Sequence, residues 1–147
     1  MTRPRVVTLI ALLRRTSQLM VEEVTERLEA AGYRDVPPAY HPIFENIDPE
    51  GTRLTVLAAR TRLTHQSMGE LVTELARRGY VERVADPVDG RARLVRLTDN
   101  GRDLVRSAIR EITAIEQKWM RLWRKAGLKV DLRRPLAAAL REGDPLA

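Results

Sequence analysis

Apolar residues recur every three or four positions in the first stretch of the chain, at Val6, Leu9, Ile10, Leu13, Met20, Val24 and Leu28. That spacing gathers them on one face of an amphipathic helix, expected over about residues 4–31 and stopped by Gly32. Pro37 and Pro38 open a shorter helix running to about Ile47, which Pro42 should kink or shorten. Residues 48–51, Asp-Pro-Glu-Gly, read as a turn. Thr52 is placed to cap a third helix over about 53–61, with Leu54, Leu57 and Ala58 inward. Thr64 is a candidate N-cap for a fourth, ending at Gly79. Met68, Leu71, Val72 and Leu75 share one of its faces; Gln66, Gly69, Glu70, Thr73 and Arg77 share the other.

The period then changes. Residues 80–84 and 92–97 have the Val, Leu and Tyr content of short strands, separated by the turn formers Asp86-Pro87 and Asp89-Gly90. The loop and the returning strand carry Arg91, Arg93 and Arg96. After this hairpin, Thr98 or Asp99 caps a long helix ended by Gly127. Its stripe is Leu104, Val105, Ala108, Ile109, Ile112, Ile115, Trp119, Leu122 and Trp123. A last helix over about 131–141 carries Leu132, Leu136, Ala137 and Leu140.

A short helix followed directly by a hairpin with arginines at its tip is the order of a winged helix-turn-helix. The helix suits a major groove and the basic tip suits a backbone or a narrow minor groove. The expected fold is mainly α with a small β-hairpin. It is one domain, 1–147, with a winged helix-turn-helix lobe at 36–98 flanked by long N- and C-terminal dimerisation helices, 1–31 with 99–147. The stripes on those terminal helices exceed what the central module can cover. They pack across a two-fold axis in a homodimer, or on one another in a monomer.

Charge sharpens the picture. The chain has 147 residues and a net charge of +6, which favours a polyanionic partner. Residues 51–97 hold 9 Lys+Arg against 5 Asp+Glu, whereas residues 1–50 hold 6 against 8, so the excess lies away from the first helix. There is no cysteine, which excludes disulfides, thiolate metal sites and thiol redox sensing. Nothing approaches the roughly 20 apolar residues of a membrane span. Arg3 and Arg5 before an apolar run look superficially like a signal peptide, but Arg14-Arg15 follow at once with no small-residue cleavage site. The chain is read as cytoplasmic. Enzyme chemistry has no support: His41 and His65 lack a metal-helix spacing, and no GxSxG, P-loop or GxGxxG occurs. No cofactor or metal is expected.

The ordered set Gly79-Tyr80-Val81-Glu82-Arg83, Asp86-Pro87, Asp89, Arg91, Leu97-Thr98 and Gly101 resembles the MarR family of bacterial transcription regulators. The resemblance covers nearly the whole chain in the order and length of its elements. It implies a homodimeric DNA-binding regulator of a pseudo-palindromic operator. It also implies a ligand-responsive repressor, released by a small aromatic or anionic effector. Arg91 stands at the family's wing arginine, which enters the minor groove, and Asp89 at the aspartate that fixes that arginine and the loop. Gly90 replaces a second basic residue often found there. Thr64, His65, Gln66 and Ser67 match the polar start of the recognition helix. Glu70 and Glu74 stand where the family often has arginines.

The expected DNA-binding set is therefore Arg53, Arg62, Thr64, His65, Gln66, Ser67, Gly69, Glu70, Thr73, Asp89, Arg91 and Arg93. Gln66 has the geometry to pair with adenine N6/N7, and a carboxylate such as Glu70 to accept from cytosine N4. Ser67 and Thr73 suit phosphate or base edges. Arg53, Arg60 and Arg62 flank the third helix as phosphate contacts. Each of these is equally a residue type found on a solvated surface. Tyr33, Tyr40, His41 and Phe44 form the candidate ligand site, since the family's pockets lie where the second helix meets the first and fifth. Core packing around a satisfied histidine is the alternative. Trp119 and Trp123 read as dimer or core residues. The competing function is a winged-helix protein-interaction module that has lost DNA binding, motivated by Glu70 and Glu74.

Overall fold

The computed structural model describes residues 7–143. The element order is α1 (Leu9–Ala30), α2 (His41–Asn46), β1 (Thr52–Arg53), α3 (Leu54–Thr61), α4 (His65–Arg77), β2 (Val81–Ala85), β3 (Arg93–Leu97), α5 (Asp99–Lys125) and α6 (Arg133–Gly143). Mainly helical, with a small antiparallel sheet, this is the fold class the hydrophobic pattern predicts.

Several boundaries move for identifiable reasons. α1 begins at Leu9 because the Thr8 side chain accepts the Ala11 amide and caps the helix there. The expected start at Pro4 and the stripe position Val6 lie outside the described residues. Gly32, at φ +101°, ends α1 in a Schellman arrangement: Tyr33 N–H donates to Leu28 O and Gly32 N–H to Glu29 O. The expected second helix is broken in two. Residues Pro38–Tyr40 form a 3-10 turn, and Pro42 sits in the first turn of a separate α2, where its missing N–H costs nothing. α6 starts at Arg133, two residues later than expected, with Asp131 Oδ1 accepting the Arg133 amide.

Thr52 is not the cap of α3. It is a buried strand residue opposite Val95, and its hydroxyl accepts the Asp48 amide at 2.8 Å while donating to Asp48 Oδ2. Arg53 occupies the N-cap position instead. Thr52 and Arg53 add a third strand to the hairpin, giving the order β1-β3-β2, all antiparallel. Two residues are too few for an alternating pattern to reveal.

The core runs through the central lobe into the long helices. Met68, Val72 and Leu75 of α4 are fully buried, together with Leu57 of α3, Ile43 of α2, Leu104 and Ile115 of α5, and Val81 and Val95 of the sheet. Val24 and Leu28 of α1 join the same cluster. α1 and α5 are also linked by ion pairs, Lys118 with Glu23 at 2.5 Å and Arg27 with Glu111 at 3.4 Å. The first half of α1 behaves differently: Leu9, Ile10 and Leu13 are exposed, as are Leu136 and Leu140 of α6. No helix among the described residues is long and apolar enough to cross a membrane.

Candidate nucleic-acid interface

The start of α4 is set by sequence-local hydrogen bonds. Thr64 Oγ1 accepts the Ser67 amide at 3.1 Å and donates to Ser67 Oγ at 2.8 Å, closing the first turn. With Met68, Val72 and Leu75 turned inward, His65, Gln66, Glu70 and Thr73 are left exposed on the outer face. Gly69 lies among them, and a Cβ there would meet only Leu54 Cδ2 at 3.8 Å, an ordinary contact. Internal bonds already hold part of this face. Gln66 Nε2 donates to Glu70 Oε1 at 3.3 Å, and Thr73 Oγ1 donates to Gly69 O at 2.7 Å. Arg62, at φ 57°, forms the left-handed corner between α3 and α4.

The second acidic departure has a different meaning from the one its sequence position implies. Glu74 is gripped by its neighbours: Arg77 donates from Nε at 2.8 Å and Nη2 at 2.5 Å, and Arg78 Nε donates at 2.8 Å. Arg77 first and Arg78 second hold the Glu74 carboxyl at about 2. The two cations neutralise this carboxylate at the end of α4, leaving Glu70 as the acidic group of the exposed face.

The wing is β2, β3 and the loop between them. Its shape comes from carboxylates rather than from an apolar anchor, since Val88 is 93% exposed. Asp86 Oδ1 accepts the amides of Val88 at 2.8 Å and Asp89 at 3.3 Å, and the Asp86 amide donates to Ala92 O. The Val88 amide first, then Arg53 and the Asp89 amide, hold the Asp86 carboxyl below its usual range. Asp89 Oδ1 accepts the Arg91 backbone amide at 3.2 Å. Asp89 thus holds the Arg91 backbone. Its ion pair is with Arg53, at 3.7 Å, and not with the Arg91 side chain. Arg91 and Arg93 are exposed at and beside the tip. Gly90 has open space where a Cβ would stand.

Two arginines expected to touch phosphate are engaged inside the protein. Arg53 donates to Asp86 Oδ2 from Nε at 2.9 Å and Nη2 at 2.6 Å. Arg60 is held by Asp48 and by Asn46 O. Arg96 pairs with Glu82 across the hairpin at 2.7 Å, away from the tip. Conversely, the sequence reading overlooked Arg83. It stands outward on β2 and donates to Thr73 Oγ1 at 3.1 Å, joining the wing to the exposed face of α4. Strand alternation marks it as outward, but not as facing the helix.

The expected ligand cluster divides. A cavity of about 390 Å³ between α1, α2 and α5 is lined by His41 and Phe44, with Val24, Leu28, Leu104 and Ile112 among its apolar walls. Tyr40 is not part of it: it is buried in the core, with Arg78 stacked 5.1 Å from its ring centre. Tyr33 is likewise a partly buried residue packed on the core outside the cavity. His41 is not a fully satisfied core histidine either. Burial lowers its pKa against a bond with the Val36 backbone, and its Nε2 has no hydrogen-bond partner among the described residues.

Residues 34–92, which contain α4 and the wing loop, match the MarR family model. An HTH-type transcriptional regulator of Mycobacterium bovis is 38% identical over 64 residues, 44% of this chain and 42% of that protein. One from Mycobacterium leprae is 39% identical over the same length and shares. The chain thus covers less than half the length of the curated relatives it matches. Among solved structures, CouR from Rhodococcus jostii bound to p-coumaroyl-CoA superposes with a TM-score of 0.71 at 24% identity, over 89% of this chain and 87% of that one. MepR of S. aureus, in complex with DNA, gives 0.68 at 21% identity, over 92% and 96%. The winged-helix segment is thus similar to the MarR family of transcription regulators, and the fold of the chain to that of these solved structures.

Proposed function

We propose that this protein is a cytoplasmic, homodimeric regulator that binds double-stranded DNA in a sequence-specific way, and that it is a ligand-responsive repressor. One observation carries the reading: a capped helix presents Gln66, Ser67, Gly69 and Thr73 outward, directly beside a hairpin that ends in exposed Arg91 and Arg93. α4 enters the major groove, with Thr64, His65, Gln66, Ser67, Glu70 and Thr73 against bases and phosphates. The wing places Arg91, with Arg93 assisting, in the adjacent minor groove. Arg62 at the α3–α4 corner faces the backbone. The DNA in the MepR complex is that protein's own partner, and it supports the assignment by analogy. Glu70 and Glu74 motivated the protein-interaction alternative. Neutralisation of Glu74 by Arg77 and Arg78 halves its basis.

The lobe at 36–98 reads DNA, and the helices at 1–31 and 99–147 make the dimer. A groove of about 750 Å³ between α1, the end of α5 and α6 is lined by Leu12, Leu13, Met120, Trp123 and Leu136. With exposed Leu9 and Ile10, it offers the apolar surface a second copy covers. Two-fold symmetry predicts DNA half-sites about one turn apart, about 34–36 Å. The 390 Å³ cavity is the effector site, taking over from the four-residue cluster only His41 and Phe44. Among the described residues of its lining, Glu45 is the one acidic or basic residue besides His41, so of an aromatic or an anionic effector the cavity favours an uncharged aromatic one.

Fluorescence anisotropy on DNA from upstream of its own gene, compared with a scrambled duplex, tests the reading. Folded Arg91→Ala should bind the preferred duplex weakly. Gln66→Ala should relax preference at one base pair by about 1–3 kcal/mol. Unchanged affinity in the first variant removes the wing contact, and unchanged base preference in the second removes the Gln66 assignment.

A further inference from the structure

Arg53 lies on β1 opposite Leu94 of β3, and its guanidinium is turned toward the wing loop. Two of its N–H groups converge on Asp86 Oδ2, while Asp86 Oδ1 takes the amides of Val88 and Asp89. One carboxylate, 7% exposed, therefore joins the frame of the lobe to the turn that carries Arg91. Asp89 continues the chain, with Oδ2 beside Arg53 and Oδ1 accepting the Arg91 amide. Residues 87–91 are all exposed, so no apolar packing fixes their path. Charge-assisted hydrogen bonds are the contacts available to do so. A guanidinium spent on Asp86 through both Nε and Nη2 is also poorly placed to serve a phosphate.

We propose that Arg53 is a positioning residue for the wing: it sets where Arg91 is presented, and it governs DNA affinity through Asp86 and Asp89 rather than by contact with phosphate. The inference rests on the DNA-binding reading above. The two roles predict opposite effects of one substitution. If Arg53 positions the wing, Asp86→Asn weakens DNA binding, because the guanidinium loses its charged partner and the loop its anchor. If Arg53 serves phosphate, Asp86→Asn removes a negative charge and frees the arginine, so binding stays equal or tightens.

The test uses the full chain and a duplex that the wild-type protein enriches from a random-sequence library. Affinity and salt slope are measured for Arg53→Gln, Asp86→Asn, their combination, Arg91→Ala, and Arg53→Gln with Arg91→Ala. We expect Arg53→Gln and Asp86→Asn each to lose about tenfold, and their combination to lose no more than either alone. In the Arg91→Ala background Arg53→Gln should change neither affinity nor salt slope. Arg53→Lys, which keeps charge but not the two-N–H grip, should recover part of the loss. Additive losses, a salt slope lowered by about 0.9 in the Arg91→Ala background, or tighter binding by Asp86→Asn would overturn the positioning role. Circular dichroism establishes that each variant is folded, and Arg53→Lys carries the test should Arg53→Gln fail to fold. Wild-type protein that enriches no duplex sinks the DNA-binding reading itself. Wild-type binding with a neutral Arg53→Gln sinks only this inference.

Discussion

The Tyr80 hydroxyl donates to Asp35 Oδ1 at 2.7 Å, tying the foot of the wing to the connection between α1 and α2. Arg78 adds a bond to the Asp35 carbonyl, and Phe44 meets the Tyr80 ring edge-on at 6.3 Å. Burial, and then this carboxylate, push the Tyr80 phenol well above its usual range. The end of α4, the wing and one wall of the cavity thus meet at a single tyrosine. Tyr80→Phe should lose about 1.5 kcal/mol, the low end for a bond to a charged acceptor, because exposed Asp35 regains water. Urea unfolding checks this, and an unchanged midpoint means the bond contributes nothing.

Gly101 has a steric reason. It is buried in the first turn of α5, and a Cβ there would stand 2.0 Å from the Tyr80 carbonyl oxygen. Thr98 completes the joint: its amide donates to that oxygen, and its hydroxyl donates to Gly79 O at 2.6 Å. Gly101→Ala should destabilise by about 3 kcal/mol, the upper end for overpacking, because the obstacle is backbone. A melting temperature equal to wild type would show that α5 shifts without cost.

That joint shows how much was legible beforehand. The residues Gly79-Tyr80, Leu97-Thr98 and Gly101 were recognisable as a set, and apolar spacing together with caps, stop glycines and turn formers located α3, α4, α5 and both strands of the hairpin to within a residue or two. What escaped were features made by distant residues meeting. Arg53 and Asp86 are 33 positions apart, so Arg53 read as a phosphate contact or a surface arginine. β1 was hidden because it is two residues long and borrows its identity from β3. Glu74 read as repulsive because its charge is local in sequence, whereas its neutralisation depends on how Arg77 and Arg78 fold back upon it. Tyr33 and Tyr40 are near His41 in sequence but stand outside the cavity.

His41 should give the protein an acid-sensitive window. Above its ordinary value of 6.5 neither the folded nor the unfolded chain holds the proton, and the group is neutral to stability. Below it the unfolded chain takes up a proton that the folded site, with its lowered pKa, refuses, so stability falls as pH drops. Glu45, raised by burial, acts the other way in the window above 4.5, losing stability as pH rises. His41→Phe should therefore flatten the fall in urea midpoint between about pH 7.5 and about pH 5.5. An equal slope in wild type and variant would remove His41 as its source.

Gly90 is open to gain. A Cβ there would meet nothing within 4 Å, so Gly90→Arg has an open start for a cation beside Arg91. The variant should bind duplex DNA more tightly, with a salt slope steeper by about 0.9. Weaker binding would mean that the wing approaches the backbone too closely for a side chain.

The most direct test of the central claim is selection of duplexes from a random-sequence library by the purified full chain, followed by anisotropy over a salt series on what is enriched. The expected result is a pseudo-palindrome with half-sites about one helical turn apart, bound by a dimer with steep salt dependence. No enriched sequence, with no binding of any duplex at low salt, would contradict it and return α4 and the wing to a protein-binding role.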